Sequence, residues 1–360
     1  MLIEGNYYAL GRITVSRSGT PGNRIKIEPA PGTGRLRFNG LTLSGNYIHV
    51  NNLVSGGHGP TERGGNVVIS GDFNILEDII SEWTASSGFN SGGSAGADPE
   101  TWPKGNLYLN CVSRYHNDGS NGADGFALKN GGPGNVYIGC IAYHNIDDGW
   151  DFFNRVEDGP SAKILIINSI AYSNGANGFK LGGETQASPH EIWNSLAFNN
   201  GMAGYSCNFN PGPMIIQNNI SIDNWNQNII FRYNPNVAPQ TNELVNSVSY
   251  RSQALRDRAP GMFDYVEGII IDSFMTDPEG VSRNGNRVLS DSDFHLITVD
   301  FTKLGGDRFG VPNTLADAVI DPTELAKVYT RDASGNLVLG NYGRLRNWAP
   351  VSTPPDYLYW

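Results

Sequence analysis

The feature that most constrains this chain is a repeated segment of one style. It recurs as YIHVNNLV (47–54), LYLNCVSRYHN (107–117), VYIGCIAYHN (136–145), ILIINSIAYSN (164–174), EIWNSLAFNN (191–200), MIIQNNISIDN (214–224) and ELVNSVSYR (243–251), with FNILEDIISEW (73–83) as a looser copy. Each copy reads as a short strand, a polar corner and a second short strand. The corners are Asn110, Gly139, Asn168, Asn194, Asn218 and Asn246, spaced 24–29 residues apart. Asparagine tolerates left-handed backbone and can hydrogen-bond its own copy in the next coil, so a ladder of corners suits it.

A second strand family follows the first: DGFALKN (124–130), DGWDFFN (148–154), NGFKLGG (177–183), AGYSCNF (203–209) and QNIIFRY (227–233). These align on Phe126, Trp150, Phe179, Tyr205 and Ile229, and two positions later on Leu128, Phe152, Leu181, Cys207 and Phe231. Period-two alternation turns both apolar sets inward and leaves Ala127, Asp151, Lys180, Ser206 and Ile230 outward. Repeats of this length, holding several short strands each, predict an all-β, single-stranded parallel β-helix. Long loops would lie on one side, and 84–106 reads as a loop thrown out from one corner. The chain reads as one domain over 1–360. Core coils run to about 255, and 256–360 holds the last coils and a tail that packs along the outside or caps the end. Within that tail, 313–330 predicts a short helix.

Composition excludes several classes. A net charge of -10 argues against nucleic acid. No apolar run is long enough to span a membrane. Three cysteines, Cys111, Cys140 and Cys207, cannot all pair and fit no zinc spacing, so they read as inward packing residues. The first residues lack a charged-then-apolar secretion signal. The same acidity means that an acidic polymer would need a local cationic patch or a bound metal.

The alignment converts sequence distance into spatial distance. Asp124 and Asp148 occupy one position in neighbouring coils, Asp147 precedes Asp148 at a bend, and Asp151 faces outward three residues on. Carboxylates this close cannot all stay ionised alone. A hard cation with oxygen ligands resolves the conflict, and calcium takes six to eight. Lys180 falls beside Asp151 in the next coil, with Gly178, Gly182 and Gly183 read as clearing space for a ligand. Calcium plus a base suits β-elimination from a uronate polysaccharide. The metal acidifies the C5 proton, a neutral lysine removes it, and the C4 oxygen leaves. An ordinary lysine, with pKa near 10.4, is neutral in only about one molecule in a few thousand at pH 7, so an alkaline optimum and calcium dependence are expected.

The motifs ADGFALK, NIDDGWDFF and NGFKLGG resemble those of the family nine polysaccharide lyases, the pectate and exopolygalacturonate lyases. The resemblance covers about 105–235. It implies a right-handed parallel β-helix, calcium on Asp124, Asp147, Asp148 and Asp151, and Lys180 as Brønsted base. It also implies a secreted, monomeric enzyme acting on polygalacturonate. Arg232, Asn208 and Lys129 share an outward strip that could hold sugar carboxylates, with Asn177 and His190 beside it. His116 and His144 read as turn residues. Trp83 and Trp102 flank the 84–106 segment as sugar platforms or packing residues. Two other readings use the same carboxylates. One is a metal-independent hydrolase of the polygalacturonase kind, which leaves Lys180 idle. The other is a carbohydrate-binding β-helix with structural calcium.

Overall fold

In a computed structural model, the described residues are 2–3, 11–232, 242–305, 311–347, 349, 353 and 354. Nearly all strands are two to five residues long and run into three parallel sheets. Among the described residues, the first sheet has 11 strands, from Leu2–Ile3 to Ile269–Ile271, the second has nine, from Leu36–Phe38 to Val248–Tyr250, and the third has ten, from Ile13–Val15 to Tyr265–Val266. The chain visits first, second and third sheet in turn, and each strand pairs with its counterpart one coil away. This is a right-handed parallel β-helix.

The corners explain the short strands. Asn110, Gly139, Asn168, Asn194, Asn218 and Asn246 all take left-handed φ, from 42° to 63°. A single such residue turns the chain sharply from the first sheet into the second. Asparagine and glycine hold that conformation with less strain than other residues. Asn246 Nδ2 also donates to Asn218 Oδ1 at 2.8 Å, as a corner ladder requires.

The third-sheet register is the one read from the sequence. Phe126 pairs with Trp150, Trp150 with Phe179, Phe179 with Tyr205, and Tyr205 with Ile229. Stacking follows from register. Phe89, Phe126, Trp150, Phe179 and Tyr205 form a continuous pile with successive centroids 4.8, 4.8, 4.6 and 5.0 Å apart. That interval is the strand spacing itself, so parallel rings come at no cost in backbone geometry. Cys111, Cys140 and Cys207 are buried and unpaired.

One segment differs from expectation. Residues 84–106 are not all loop: Phe89–Ser91 is a third-sheet strand, paired with Val67–Ile69 and Phe126–Leu128. Its sequence offers one bulky residue among glycines and serines, so alternation was invisible. Trp102 and Trp83 at its flanks are 1% and 3% exposed, and both are packing residues. In 313–330, helix is confined to Pro322–Val328, capped by Asp321, which accepts from Thr323 N and Glu324 N. The preceding Leu315 and Val319 are exposed.

Beyond the coils, Phe274, Leu289, Phe294, Leu304, Val328, Tyr342 and Leu345 join Tyr143, Tyr172, Phe198, Ile222 and Tyr250 in one apolar cluster. The later chain therefore lies along the outside of the second sheet. Most of 348–360 lies outside the described residues, as do 4–10 of the opening coil.

Candidate functional site

The site is built on the turns that enter the third sheet. Behind those turns runs a buried asparagine ladder. Asn145 Nδ2 donates to Asn174 Oδ1 at 2.9 Å, Asn174 Nδ2 to Asn200 Oδ1 at 3.0 Å, and Asn200 Nδ2 to Asn224 Oδ1 at 2.8 Å. The ladder explains the glycine after each site residue. A Cβ on Gly149 would stand 2.9 Å from Asn174 Nδ2 and 2.6 Å from the Gly178 oxygen; one on Gly178 would stand 2.9 Å from Asn200 Nδ2. Only glycine lets the chain press against the ladder, and this fixes the residue before it. The repeat shows these asparagines in YHN, YSN, FNN and IDN, yet their inward direction cannot be read from spacing alone.

A second ladder runs through the site residues themselves. Asp124 Oδ1 accepts from Asp148 N at 3.3 Å. Asp148 Oδ1 accepts from both Asn177 N and Asn177 Nδ2 at 2.8 Å. Asn177 Oδ1 in turn accepts from Ala203 N at 3.2 Å. Ser87, unremarked in the sequence, donates to Asp124 Oδ2 at 3.2 Å. Asp124 is thus held through both oxygens and Asp148 through Oδ1, which fixes the direction of each carboxylate.

Asp124, Asp148 and Asp151 are buried, and one oxygen from each lies within 4.8 Å of the others. Opposed ligands of calcium, at about 2.3–2.6 Å each, stand roughly 4.6–5.2 Å apart, so these oxygens match such a cation. Asp148 Oδ2 is buried, and an ammonium, that of Lys180, stands 3.0 Å from it. An all-oxygen donor set of three converging buried carboxylates fits a hard cation. Asp147 is half-buried and is not among the three whose oxygens converge.

Asp151 pairs with Lys180 in register, as aligned. The Lys180 ammonium lies 3.0 Å from Asp148 Oδ2, 3.5 Å from Asp151 Oδ1 and 5.2 Å from the centre of the Phe153 ring. Gly183 leaves room for that ring, since a Cβ there would be 2.1 Å from Phe153 Cδ2. The glycines near Lys180 therefore serve packing of the chain, not clearance for a ligand. Lys129 enters the same cluster, with its ammonium 2.7 Å from Asp151 Oδ2 and 3.7 Å from Asp124 Oδ2.

Burial dominates the electrostatics. It raises the Asp124 carboxyl well above its ordinary range, helped by the Asp151 and Asp148 charges. Burial likewise raises Asp148, and it lifts Asp147, beside Asp148, to about 7. Burial alone would lower Lys180, but the Asp148 and Asp151 carboxylates outweigh it and raise the ammonium pKa. Three carboxyls displaced upward by burial, with mutual repulsion added, mark a place that an added cation would stabilise.

The other sequence candidates divide. Asn177, Asn208 and Arg232 line one cleft of about 250 Å³ with Met202, Phe209 and Gln227, one to two coils beyond Lys180. The exposed Arg232 guanidinium lies 5.4 Å from the Phe209 ring centre. Asn208 Nδ2 donates to Gly182 O at 3.1 Å. His190 is not in the cleft. It is fully buried beside Phe152, accepts from Ile164 N through Nδ1, and is held neutral by burial, which lowers its pKa to about 3. Its place before a strand did not show which way the ring turns. His116 is a buried corner residue, hydrogen-bonded to Thr84 and Ser113 at 2.8 and 2.9 Å.

Fold and site define a right-handed parallel β-helix with an acidic, lysine-bearing centre on one lateral face. The family model described as "Pel9A-like, right handed beta helix region" matches residues 1–252, and the chain belongs to that family. It is 36% identical over 266 residues to a pectate disaccharide-lyase of Dickeya chrysanthemi, covering 73% of this chain and 33% of that protein. A pectate lyase L of Thermoclostridium stercorarium is 35% identical over 285 residues, covering 73% of this chain and 23% of the relative. A third, pectate lyase L of Paenibacillus polymyxa (strain SC2), is 34% identical and is covered over 60% of its length. This chain thus spans less than two thirds of each of these relatives. Among solved structures, the crystal structure of pectate lyase Pel9A superposes with a TM-score of 0.65 at 25% identity, over 96% of this chain and 78% of that one. A rhamnogalacturonan lyase shares the fold at 0.51 and 18% identity, over 96% of this chain and 85% of that one.

Proposed function

We propose that this chain is the catalytic β-helix of a calcium-dependent polysaccharide lyase that cleaves polygalacturonate by β-elimination. The observation that carries the reading is the Lys180 ammonium, 3.0 Å from Asp148 and in register with Asp151, beside three converging carboxylates. A hydrolase needs the carboxylates but has no use for a lysine held there. Membership of a family whose named relatives are pectate lyases supports the same reaction.

Asp124, Asp148 and Asp151, with Asp147 at the edge, would hold the metal. Bound calcium supplies the positive charge that acidifies the proton next to the sugar carboxylate and offsets the raised Lys180 pKa. Lys180, once neutral, takes the C5 proton. The C5–H electron pair becomes the C4–C5 double bond, and the C4–O bond breaks with the departing sugar oxygen taking a proton. Phe153 beneath the ammonium restricts its direction. Arg232 and Asn208 supply the local cationic and amide strip that an acidic polymer needs on a chain of net charge -10, while Lys129 is drawn into the carboxylate cluster. Asn177 acts through Asp148, whose Oδ1 it holds with two donors. We further propose that the protein acts outside the cell as a monomer.

The test is an ultraviolet assay on polygalacturonate, since a C4–C5 unsaturated product absorbs and a hydrolytic product does not. Absorbance that rises with calcium and vanishes with excess chelator is the expected result. Reducing ends appearing without absorbance would replace this reading by hydrolysis.

A further inference from the structure

Lys129 holds a position that the proposed elimination does not explain. Its ammonium lies within the carboxylate cluster, on the far side of Asp151 from Lys180. The two lysines between them take both Asp151 oxygens: Lys180 faces Oδ1 at 3.5 Å and Lys129 faces Oδ2 at 2.7 Å. Oδ1 also accepts from Phe153 N at 2.9 Å. A metal drawn to Asp124, Asp148 and Asp151 must therefore claim the Oδ2 that Lys129 holds, or crowd Lys180.

The two lysines are not held alike. The Lys180 side chain is 18% exposed and rests over Phe153, whereas that of Lys129 is 45% exposed. Among the described residues, the ion-pair partners of Lys129 are Asp151 and Asp124, the same groups that a cation would take. Lysine is a compact point charge on a flexible stem, able to leave a site without moving backbone. A hard dication and an ammonium cannot share one carboxylate oxygen at contact distance without strong repulsion.

Resting on the calcium reading above, we propose that Lys129 is an exchangeable counter-ion of this cluster. In the metal-free protein its ammonium neutralises Asp151 and Asp124 and keeps the carboxylates together. Entry of the metal expels it into the cleft, where it becomes available to a uronate carboxylate. The site is thus held assembled before the metal arrives, at the expense of metal affinity.

Calcium titration of the full chain by calorimetry, for wild type, Lys129→Met and Lys129→Arg, tests this without any turnover. Lys129→Met keeps the stem and removes the competitor. It should bind calcium about tenfold more tightly than wild type, the scale of one charge-assisted contact. Its metal-free melting temperature should fall, while that of the calcium-loaded protein should not. Lys129→Arg keeps the charge and should titrate like wild type, with circular dichroism confirming that all three fold. Equal or weaker calcium binding by Lys129→Met, while wild type binds, would show that Lys129 supports the ligands instead of competing with the metal. That result overturns this inference and leaves the calcium reading standing. Absence of calcium binding by every variant would remove both.

Discussion

At the scale of single residues, the site separates groups that touch chemistry from groups that aim them. Lys180→Ala should abolish turnover while leaving calcium binding as tight as in wild type or tighter, because truncation removes the proposed base and a positive charge beside Asp148 and Asp151 but none of the carboxylate oxygens. Calorimetry beside the ultraviolet assay checks both halves. Asn177→Ala removes the Nδ2 donor from Asp148 Oδ1 and leaves the backbone N in place. The loss of one donor to a buried carboxylate costs about 1–3 kcal/mol, and calcium affinity should drop by roughly tenfold. The pH response has a definite sign. The Asp147 carboxyl is raised from its ordinary 3.8 to about 7, so between these values the folded chain binds a proton that the unfolded chain has lost. Stability of the metal-free protein should therefore fall as pH rises from about 4 to 7. Calcium binds the ionised form and should reverse that slope, as melting curves with and without chelator would show. Register made Asp124, Asp148, Asp151 and Lys180 legible, because an outward position in one coil fixes its neighbours. The Lys129 ammonium was not legible within the cluster, since a four-carbon stem can reach several partners from one Cα. His190 was misplaced for a related reason: a residue just outside a strand has no alternation to fix its face.

At the scale of elements, the turns matter more than the strands they join. Asn174 accepts from Asn145 and donates to Asn200 inside a fully buried ladder. Replacing it with alanine orphans both neighbours, at about 1–3 kcal/mol per group, and loosens the turn behind Gly149. The expected result is a lower melting temperature together with weaker calcium binding. Substitution in the aromatic pile, such as Trp150→Ala, should cost about 3–5 kcal/mol in stability by opening a cavity. The strands of the repeat were readable because bulky residues alternate in them. Phe89–Ser91 was missed because its neighbours are too small to mark a face. The short helix read within 313–330 is present at Pro322–Val328.

At the scale of the whole molecule, coils stacked along one axis contact only their neighbours, so a lateral face can carry function while the interior carries stability. The later chain packs on the second sheet, through Phe294, Leu304, Tyr342 and Leu345. The site lies on the third. Coil architecture was legible from periodicity, whereas the choice between packing along the outside and capping the end was not, because the later apolar residues follow no repeat. The net charge of -10 makes the account depend on a local reversal of sign, from calcium and from Lys129, Lys180 and Arg232. The central claim is that this face performs calcium-dependent β-elimination with Lys180 as base. The measurement that tests it most directly is ultraviolet absorbance of polygalacturonate incubated with wild type and with Lys180→Ala, each with calcium and with chelator. The account predicts rising absorbance for wild type with calcium and none in the other three reactions. Equal absorbance from Lys180→Ala, or from wild type in chelator, would contradict it.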